Sequence, residues 1–257
     1  MKLYTAKHGS GENVIVGFHG WSGDHTTFDP LIKYIPAGTT FYSVDLPGSG
    51  KTPPPKQWDI NEFVSYVAED VLTFSKRSIT LVGSCSGALL CLFVAKYLAS
   101  RKQLERLNQL VLIDPFAYLP WYFKVFVAPQ MGKIGWYAYY STFANPIGRW
   151  LTNLSLWKRR TDDANLTSSF AAVNHQATYR YLKLLSEAGG AEQFAGLSLP
   201  IEIVYGENTF AAVKASVLRW KKILPQSNCY VLKATGHLPI EEATTELANI
   251  LFQSVRL

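Results

Sequence analysis

Short apolar runs alternate along the chain with longer stretches of helical periodicity. The apolar runs cover residues 14–18, 41–45, 79–83, 109–114, 201–205 and 228–233. Several are apolar at every position, which is typical of strands buried on both faces of a mostly parallel sheet. Helical patterns lie between them at residues 26–34, 60–75, 87–99, 211–224 and 241–254. This alternation predicts an α/β fold with a doubly wound, mostly parallel sheet.

One long interval, residues 115–199, breaks this alternation because it holds no convincing strand. Pro120, Pro129 and Pro146 divide it into short helix-prone pieces, since proline removes a helix hydrogen bond and clashes with the preceding turn. We therefore predict a helical cap over residues 115–197, inserted into a core formed by residues 1–114 and 198–257. The interval is dense in aromatic residues: Phe116, Tyr118, Trp121, Tyr122, Phe123, Phe126, Trp136, Tyr137, Tyr139, Tyr140, Phe143, Trp150 and Trp157.

Composition places the chain among globular proteins. Of its 257 residues, 48% are hydrophobic and 17% are charged, and the net charge is +6. No basic block alternates with aromatic residues as a nucleic-acid groove requires, so we expect no nucleic-acid partner. Residues 1–11 are polar and lack the apolar region of a secretory signal, and no apolar run reaches the length of a membrane span. We expect a cytoplasmic protein.

The three cysteines, Cys85, Cys91 and Cys229, are too few and too scattered for a disulfide framework or a zinc cluster. His25 and the other histidines outside the motifs below, His8 and His175, have no partners at metal-ligand spacing. We therefore expect no metal and no cofactor, and we interpret Cys91 and Cys229 as inert core thiols.

Cys85 stands at a sharp turn between a strand and a helix. Residues 79–87 read I-T-L-V-G-S-C-S-G, and the spacing of Gly83, Cys85 and Gly87 matches the G-x-nucleophile-x-G elbow. The small flanking residues let the chain turn tightly enough to expose the central side chain above the sheet. The following helix favours an anion at its N-terminus, so the position favours a reactive thiolate.

Four motifs occur in a fixed order along the chain: H-G-W-S-G at residues 19–23, D-L-P-G-S-G at residues 45–50, the Cys85 turn, and G-H-L-P at residues 236–239. Together they resemble the α/β-hydrolase superfamily over essentially the whole chain, in a variant with cysteine at the nucleophile position. The resemblance implies that His237 is the catalytic base and that the backbone N–H groups of Trp21 and Ser86 form the oxyanion hole. It implies a structural role for His19.

The acid of the triad is not at its usual position. The superfamily most often has a G-E-x-D pattern after the strand before the last, but here Gly206-Glu207-Asn208-Thr209 ends in threonine. Asp114 is the best replacement, because it ends a strand whose equivalent carries the acid in some superfamily members. Glu207, or no acid at all, remains the alternative, since a triad is recognised by geometry and not by chain position.

Three functions fit this pattern. The first is hydrolysis of an ester or thioester with an apolar acyl group through an acyl-cysteine intermediate. The second is acyl transfer from a thioester donor, carried on coenzyme A or an acyl carrier protein; the basic triplet Lys158, Arg159 and Arg160 suits such an anionic carrier or is a solvated helix end. The third is ligand binding by a protein whose triad has decayed. The aromatic residues form either the cap's own core or an apolar acyl pocket.

Overall fold

A seven-stranded sheet forms the centre of the computed structural model, which describes residues 2–157 and 165–253. Its strand order is β1-β3-β2-β4-β5-β6-β7. Only β1 is antiparallel to its neighbour, β3, and the other neighbouring pairs are parallel, which confirms the predicted α/β sheet. The strands are β1 (Thr5–Gly9), β2 (Asn13–Phe18), β3 (Thr39–Val44), β4 (Ile79–Ser84), β5 (Leu107–Ile113), β6 (Ile201–Gly206) and β7 (Asn228–Leu232).

Helices cover both faces of this sheet. Asp59 begins α1 by accepting hydrogen bonds from the N–H groups of Asn61 and Glu62, and Asn174 begins α6 by accepting one from Ala177. The helices are α1 (Ile60–Val71), α2 (Ser86–Ser100), α3 (Trp121–Val127), α4 (Gly132–Tyr139), α5 (Pro146–Trp157), α6 (His175–Glu187), α7 (Ala211–Ile223), α8 (Pro239–Glu242) and α9 (Thr244–Gln253).

The core lies on both sides of the sheet. Successive strand residues point to opposite faces, so the neighbours Leu81 and Val82 in β4 belong to two different buried clusters. The Leu81 side packs mainly with α1, α2 and α7, and the Val82 side packs with α9. Burial on both faces explains why β4 is apolar at almost every position.

The structure differs from the sequence prediction at three elements. The edge strand β1 was not predicted, because its residues are only half buried and carry no apolar alternation. The element predicted at residues 26–34 is a 3-10 helix, His25–Tyr34, with Pro30 inside it. The last predicted helix is two helices, α8 and α9, and residue 254 lies outside the described residues.

Residues 115–197, here called the inserted segment, connect β5 to β6. Its described residues contain helices and no strand. Tyr139, Phe143 and Phe170 form a small buried cluster there. The division into a core and a separate cap domain stays a prediction, because other residues of the segment, including Tyr181, join the main core cluster.

The basic triplet predicted to meet an anionic carrier, Lys158, Arg159 and Arg160, lies outside the described residues. Among the helices that are described, none combines the length and the apolar character needed to cross a membrane.

Candidate active site

Cys85 occupies a strained turn between β4 and α2. Its backbone has φ 54° and ψ −112°, a region that L-residues rarely adopt. Its N–H donates to the carbonyl of Ile113 over 2.8 Å, which ties the turn to the end of β5. A Cβ atom on Gly83 would come within 2.3 Å of the Gly87 backbone, and one on Gly87 within 2.1 Å of the Phe18 carbonyl oxygen. Both glycines of the elbow are therefore required for the turn to close.

The other two thiols lie in different environments. Cys91 is fully buried inside α2, where burial raises its pKa well above the usual value. Cys229 is half buried near the start of β7, and burial raises its pKa too. Cys85 is partly exposed.

His237 lies after β7 and faces the carboxylate that follows β5. Its Nδ1–H donates to Asp114 Oδ2 over 2.7 Å. The imidazole is flanked by the rings of Phe210 and Phe116, at centroid distances of 4.7 and 5.6 Å. The structure thus brings together a histidine and an aspartate that are separated by 123 positions in the chain.

The pKa of His237 is set by opposing effects. Burial lowers it, but the hydrogen bond to Asp114 and the interaction with the nearby Cys85 raise it overall to about 10. Both groups favour the protonated imidazole, Asp114 through its hydrogen bond to Nδ1 and Cys85 through its proximity.

Asp114 is fully buried, and its two oxygens are held by the backbone and by Thr209. The N–H of Gly206 donates to Oδ1 over 3.0 Å, and the Thr209 hydroxyl donates to Oδ2. The same hydroxyl lies 3.4 Å from His237 Nδ1. The backbone of Asp114 has φ 48°, so the carboxylate is presented by a turn that most residues avoid.

The carboxylate of Glu207, the alternative acid, points elsewhere. It forms an ion pair with Lys233 Nζ at 2.9 Å and accepts from the Ala234 N–H at 3.1 Å. Of the two acids considered from the sequence, only Asp114 lies at His237.

The two residues predicted to form the oxyanion hole, Trp21 and Ser86, belong to segments that adjoin Cys85. Gly20 packs so closely that an added Cβ atom would lie 3.1 Å from that of Cys85, and Trp21 follows it. The turn over residues 20–23 closes through the Gly23 N–H, which donates to the Gly20 carbonyl over 3.1 Å. Ser86 is the first residue of α2, where backbone N–H groups have no acceptor within the helix.

His19 is buried and neutral. Burial lowers its pKa, its Nδ1–H donates to the Gly20 carbonyl over 2.8 Å, and its Nε2 accepts from the Leu46 N–H over 3.1 Å. These two bonds tie the loop after β2 to the loop after β3. This placement agrees with the structural role expected for His19.

His25 has close partners in the structure that its sequence spacing does not show, and they satisfy its imidazole as a polar side chain. Its Nδ1 lies 2.8 Å from Asp45 Oδ1, and one ligand atom from each of Asp24, His25 and Asp45 lies within 4.8 Å of the others. Those atoms already have structural partners: Asp24 caps the 3-10 helix at Thr26, and Asp45 accepts from the backbone of His25 and of Lys51. No local spacing reveals this group, since Asp45 is 20 positions from His25.

Tyr122 of α3 lies near enough to Cys85 to interact with it electrostatically. Burial, together with electrostatic interactions with Cys85 and Tyr118, raises the pKa of Tyr122 to about 12. Trp121, the preceding residue, is 77% exposed, and Tyr122 itself keeps 37% of its surface exposed.

Comparisons with known proteins agree with this architecture. The model of the alpha/beta hydrolase family matches residues 14–250. Solved structures share the fold at low identity: an enol-lactonase from Burkholderia xenovorans LB400 has a TM-score of 0.76 at 16% identity, covering 99% of this chain and 96% of that one. A thermophilic esterase from Thermogutta terrifontis has a TM-score of 0.76 at 17% identity, covering 99% of this chain and 93% of that one.

Curated relatives share more sequence. A pimeloyl-[acyl-carrier protein] methyl ester esterase from Neisseria meningitidis serogroup C is 33% identical over 52% of this chain, and the match spans 49% of that relative. The protein of the same name from N. meningitidis serogroup B (strain MC58) is 27% identical over 86% of this chain and 84% of its own length. With the family model matching most of its length, the chain belongs to the alpha/beta hydrolase family.

Proposed function

We propose that this protein hydrolyses an ester or thioester with an apolar acyl group through an acyl intermediate on Cys85. In this proposal His237 transfers protons, Asp114 orients His237, and the backbone N–H groups of Trp21 and Ser86 bind the oxyanion. The observation that carries it is the placement of the His237 imidazole, whose Nδ1 lies 2.7 Å from Asp114 Oδ2 and whose pKa is raised by that hydrogen bond and by the nearby Cys85.

Acylation begins from a thiolate next to an imidazolium, the state that a raised His237 pKa favours at neutral pH. The Cys85 sulfur attacks the carbonyl carbon, a C–S bond forms, and the carbonyl electron pair moves to oxygen. The two amide N–H groups stabilise that oxyanion, a type of interaction worth on the order of 3 kcal/mol per donor. The intermediate collapses, the bond to the leaving group breaks, and His237 donates its proton to the departing alkoxide or thiolate.

Deacylation reverses the role of His237. The neutral imidazole takes a proton from water, the resulting hydroxide adds to the acyl-thioester carbon, and a second oxyanion forms in the same hole. Collapse breaks the C–S bond and releases the carboxylic acid. The thiolate and the imidazolium are regenerated.

The arrangement around Asp114 argues against a decayed triad. The threonine at position 209 does not leave His237 without an acid, since Asp114 is hydrogen bonded to Nδ1. Thr209 donates to that acid. A buried aspartate held in this way has little structural reason to face a histidine that serves no reaction.

For the substrate we infer a small alkyl ester of an acyl chain carried on an acyl carrier protein. The support is the likeness to esterases named for a pimeloyl-[acyl-carrier protein] methyl ester. The apolar side chains near Cys85 and His237, among them Phe116 and Phe210, suit an apolar acyl chain.

Turnover of a substrate panel tests this proposal. Methyl esters and thioesters of the same acyl chains, free and attached to an acyl carrier protein, are assayed with the wild type and with Cys85→Ala and His237→Ala. We expect hydrolysis by the wild type, a loss of at least about 1000-fold in both variants, and unchanged rates in the matched control Cys229→Ala. Hydrolysis that survives Cys85→Ala contradicts the proposal.

A further inference from the structure

We propose that helix α6 of the inserted segment positions the oxyanion hole, acting through the indole side chain of Trp21. Trp21 is then a positioning residue through its side chain as well as a donor through its backbone. This inference rests on the proposed function, because it assigns a mechanical role to residues that bind the oxyanion there.

The first contact between Trp21 and α6 is a hydrogen bond. The Trp21 Nε1–H donates to the backbone carbonyl of Thr178, in the first turn of α6, over 2.9 Å. The two residues are 157 positions apart. A backbone acceptor inside a helix is held by the helix itself, so this bond fixes the indole relative to α6 as a whole.

Aromatic rings of the inserted segment hold the indole from several sides. Phe170, Phe143 and Phe123 meet it edge to face, with ring centroids at 4.8, 5.1 and 5.2 Å. Aromatic rings prefer edge-to-face contacts in this range, which stabilise the indole beyond the effect of its burial. The cluster therefore includes an oxyanion-loop residue and is more than the cap's own core.

The residue after Trp21 has its own link to the segment. The Ser22 hydroxyl is hydrogen bonded to that of Ser169 over 2.7 Å, and the Ser22 backbone has φ 68°, which most residues avoid. Trp21 and Ser22 are thus both attached to the inserted segment, while Gly20 packs on Cys85. The loop over residues 20–23 is therefore held both by the inserted segment and by the Cys85 turn.

Helix α6 also lies at the second donor. Tyr181, one turn after Thr178, is buried, and burial raises its pKa. The buried Ser86 hydroxyl lies near enough to lower that pKa in part, although the two hydroxyls do not reach hydrogen-bonding geometry. The side chains of Trp21 and Ser86, the two residues whose N–H groups would bind the oxyanion, therefore both lie next to atoms of α6. A displacement of α6 changes the surroundings of both.

We expect that binding of a substrate against the inserted segment changes the rate of catalysis. When an acyl chain or its carrier shifts α6, the Trp21 amide shifts with it, because the indole is held by α6 and by the rings around it. Oxyanion binding depends on donor positions to within fractions of an ångström, whereas ground-state binding of the acyl chain does not.

The test compares Trp21→Phe with Tyr179→Phe. Trp21→Phe removes the Nε1–H donor and keeps the backbone amide and an aromatic ring. Tyr179→Phe is the matched control: it removes a hydrogen bond of similar length, 3.0 Å to the Phe126 carbonyl, from the same helix, and it does not touch the oxyanion loop. Each variant is assayed for kcat and KM and for binding of two inhibitors with the same apolar tail. One is a trifluoromethyl ketone, which forms an oxyanion on Cys85, and the other is the corresponding alcohol, which does not.

We expect Trp21→Phe to lower kcat about tenfold and to weaken the ketone about tenfold, while KM and alcohol affinity change less than about twofold. Tyr179→Phe is expected to change neither kcat nor ketone affinity. Equal weakening of ketone and alcohol by Trp21→Phe, or wild-type kcat in that variant, overturns the inference. If Trp21→Phe does not fold, Ser169→Ala replaces it, since it removes the link to Ser22 from outside the site; the same selective loss in kcat and ketone affinity is expected, and its absence overturns the inference.

The proposed function fails in a different way. If the wild type shows no turnover and forms no adduct between the ketone and Cys85, the proposed chemistry is wrong. If the wild type does both and Trp21→Phe behaves as Tyr179→Phe does, only the positioning role of α6 is wrong.

Discussion

The hydroxyl of Thr209 donates a hydrogen bond to Oδ2 of Asp114, the same oxygen that accepts from His237 Nδ1. Thr209 stands at the position where the family most often has its acid, three residues after Gly206. The carboxylate comes instead from the end of β5, and the side chain at the usual position orients it. In the proposed triad, the end of β5 therefore supplies the acid that the family most often has after β6.

Asp114→Asn should lower kcat by on the order of 100-fold with little change in KM. An amide at this position donates as well as accepts, so it no longer fixes the Nδ1–H tautomer of His237 or stabilises its positive charge. The loss is about 10⁴-fold for a serine nucleophile, and we expect less here because a thiol depends less on an oriented base. Steady-state kinetics with the best ester of the panel provide the measurement, and wild-type rates in Asp114→Asn would remove this residue from the mechanism.

Moving the acid to its usual position should restore activity. Thr209 Oγ1 lies 3.4 Å from His237 Nδ1, so a carboxylate at residue 209 reaches the imidazole. We expect Thr209→Asp to recover at least about tenfold of the kcat lost in Asp114→Asn. Glu207→Gln is the control, because that carboxylate pairs with Lys233 and should not affect kcat. A double variant no faster than Asp114→Asn would show that the two strand ends are not interchangeable.

His237 should remain protonated well above neutral pH. Its pKa is raised to about 10 in the folded protein from an ordinary value of 6.5. The folded state thus keeps a proton that the unfolded chain releases, so the stability contributed by this group is complete below pH 6.5 and is lost as the pH rises through about 10. An NMR titration of the imidazole ring protons measures the pKa directly. Asp114→Asn and Cys85→Ala should each lower it, and an unchanged pKa in both variants would contradict the assignment of its causes.

Cys85 should be the thiol that reacts first with iodoacetamide at pH 7. Burial shields Cys91 and raises its pKa, and burial raises that of Cys229 as well, so both remain protonated. Cys85 is partly exposed and lies near His237. We expect it to react at least about tenfold faster than the other two, measured by peptide mass spectrometry over time. Slow labelling of all three cysteines at similar rates would count against a thiolate at Cys85.

Medium and long acyl chains should be better substrates than acetyl. Each buried methylene contributes about 0.8 kcal/mol, or about fourfold in affinity, until the chain outgrows the apolar surface near the site. A series of p-nitrophenyl esters and acyl thioesters of increasing chain length gives kcat/KM as a function of length. Acetyl as the best donor would contradict an apolar acyl pocket.

The sheet could be predicted from the sequence because its strands are buried on both faces, as in β4, where an unbroken apolar run is distinctive. The edge strand β1 could not, since a strand with one exposed edge and partly exposed side chains resembles a polar loop. Pro30 explains why a helical pattern produced a 3-10 helix. Local pattern therefore predicts elements where burial is complete and fails where it is partial.

Some residues of the candidate site could be predicted from the sequence and others could not. Cys85 and His237 stand in short motifs, and Asp114 was predicted from its place at a strand end. The role of Thr209 was not visible, because its position was interpreted only as the loss of an acid. The contact of Trp21 with Thr178 was also invisible, since it joins residues that are 157 positions apart and depends on how the inserted segment folds back on the sheet.

The central claim is that an acyl group forms a covalent bond with Cys85, and trapping that bond tests it most directly. Wild-type protein is mixed with an acyl ester, quenched in acid within milliseconds and digested, and the peptide containing residues 84–86 is sequenced by mass spectrometry. We predict an acyl group on the sulfur of Cys85, released by neutral hydroxylamine as a thioester is, and absent from Cys85→Ala. An acyl group on Ser84 or Ser86, or turnover with no acylated peptide in this region, would contradict the account.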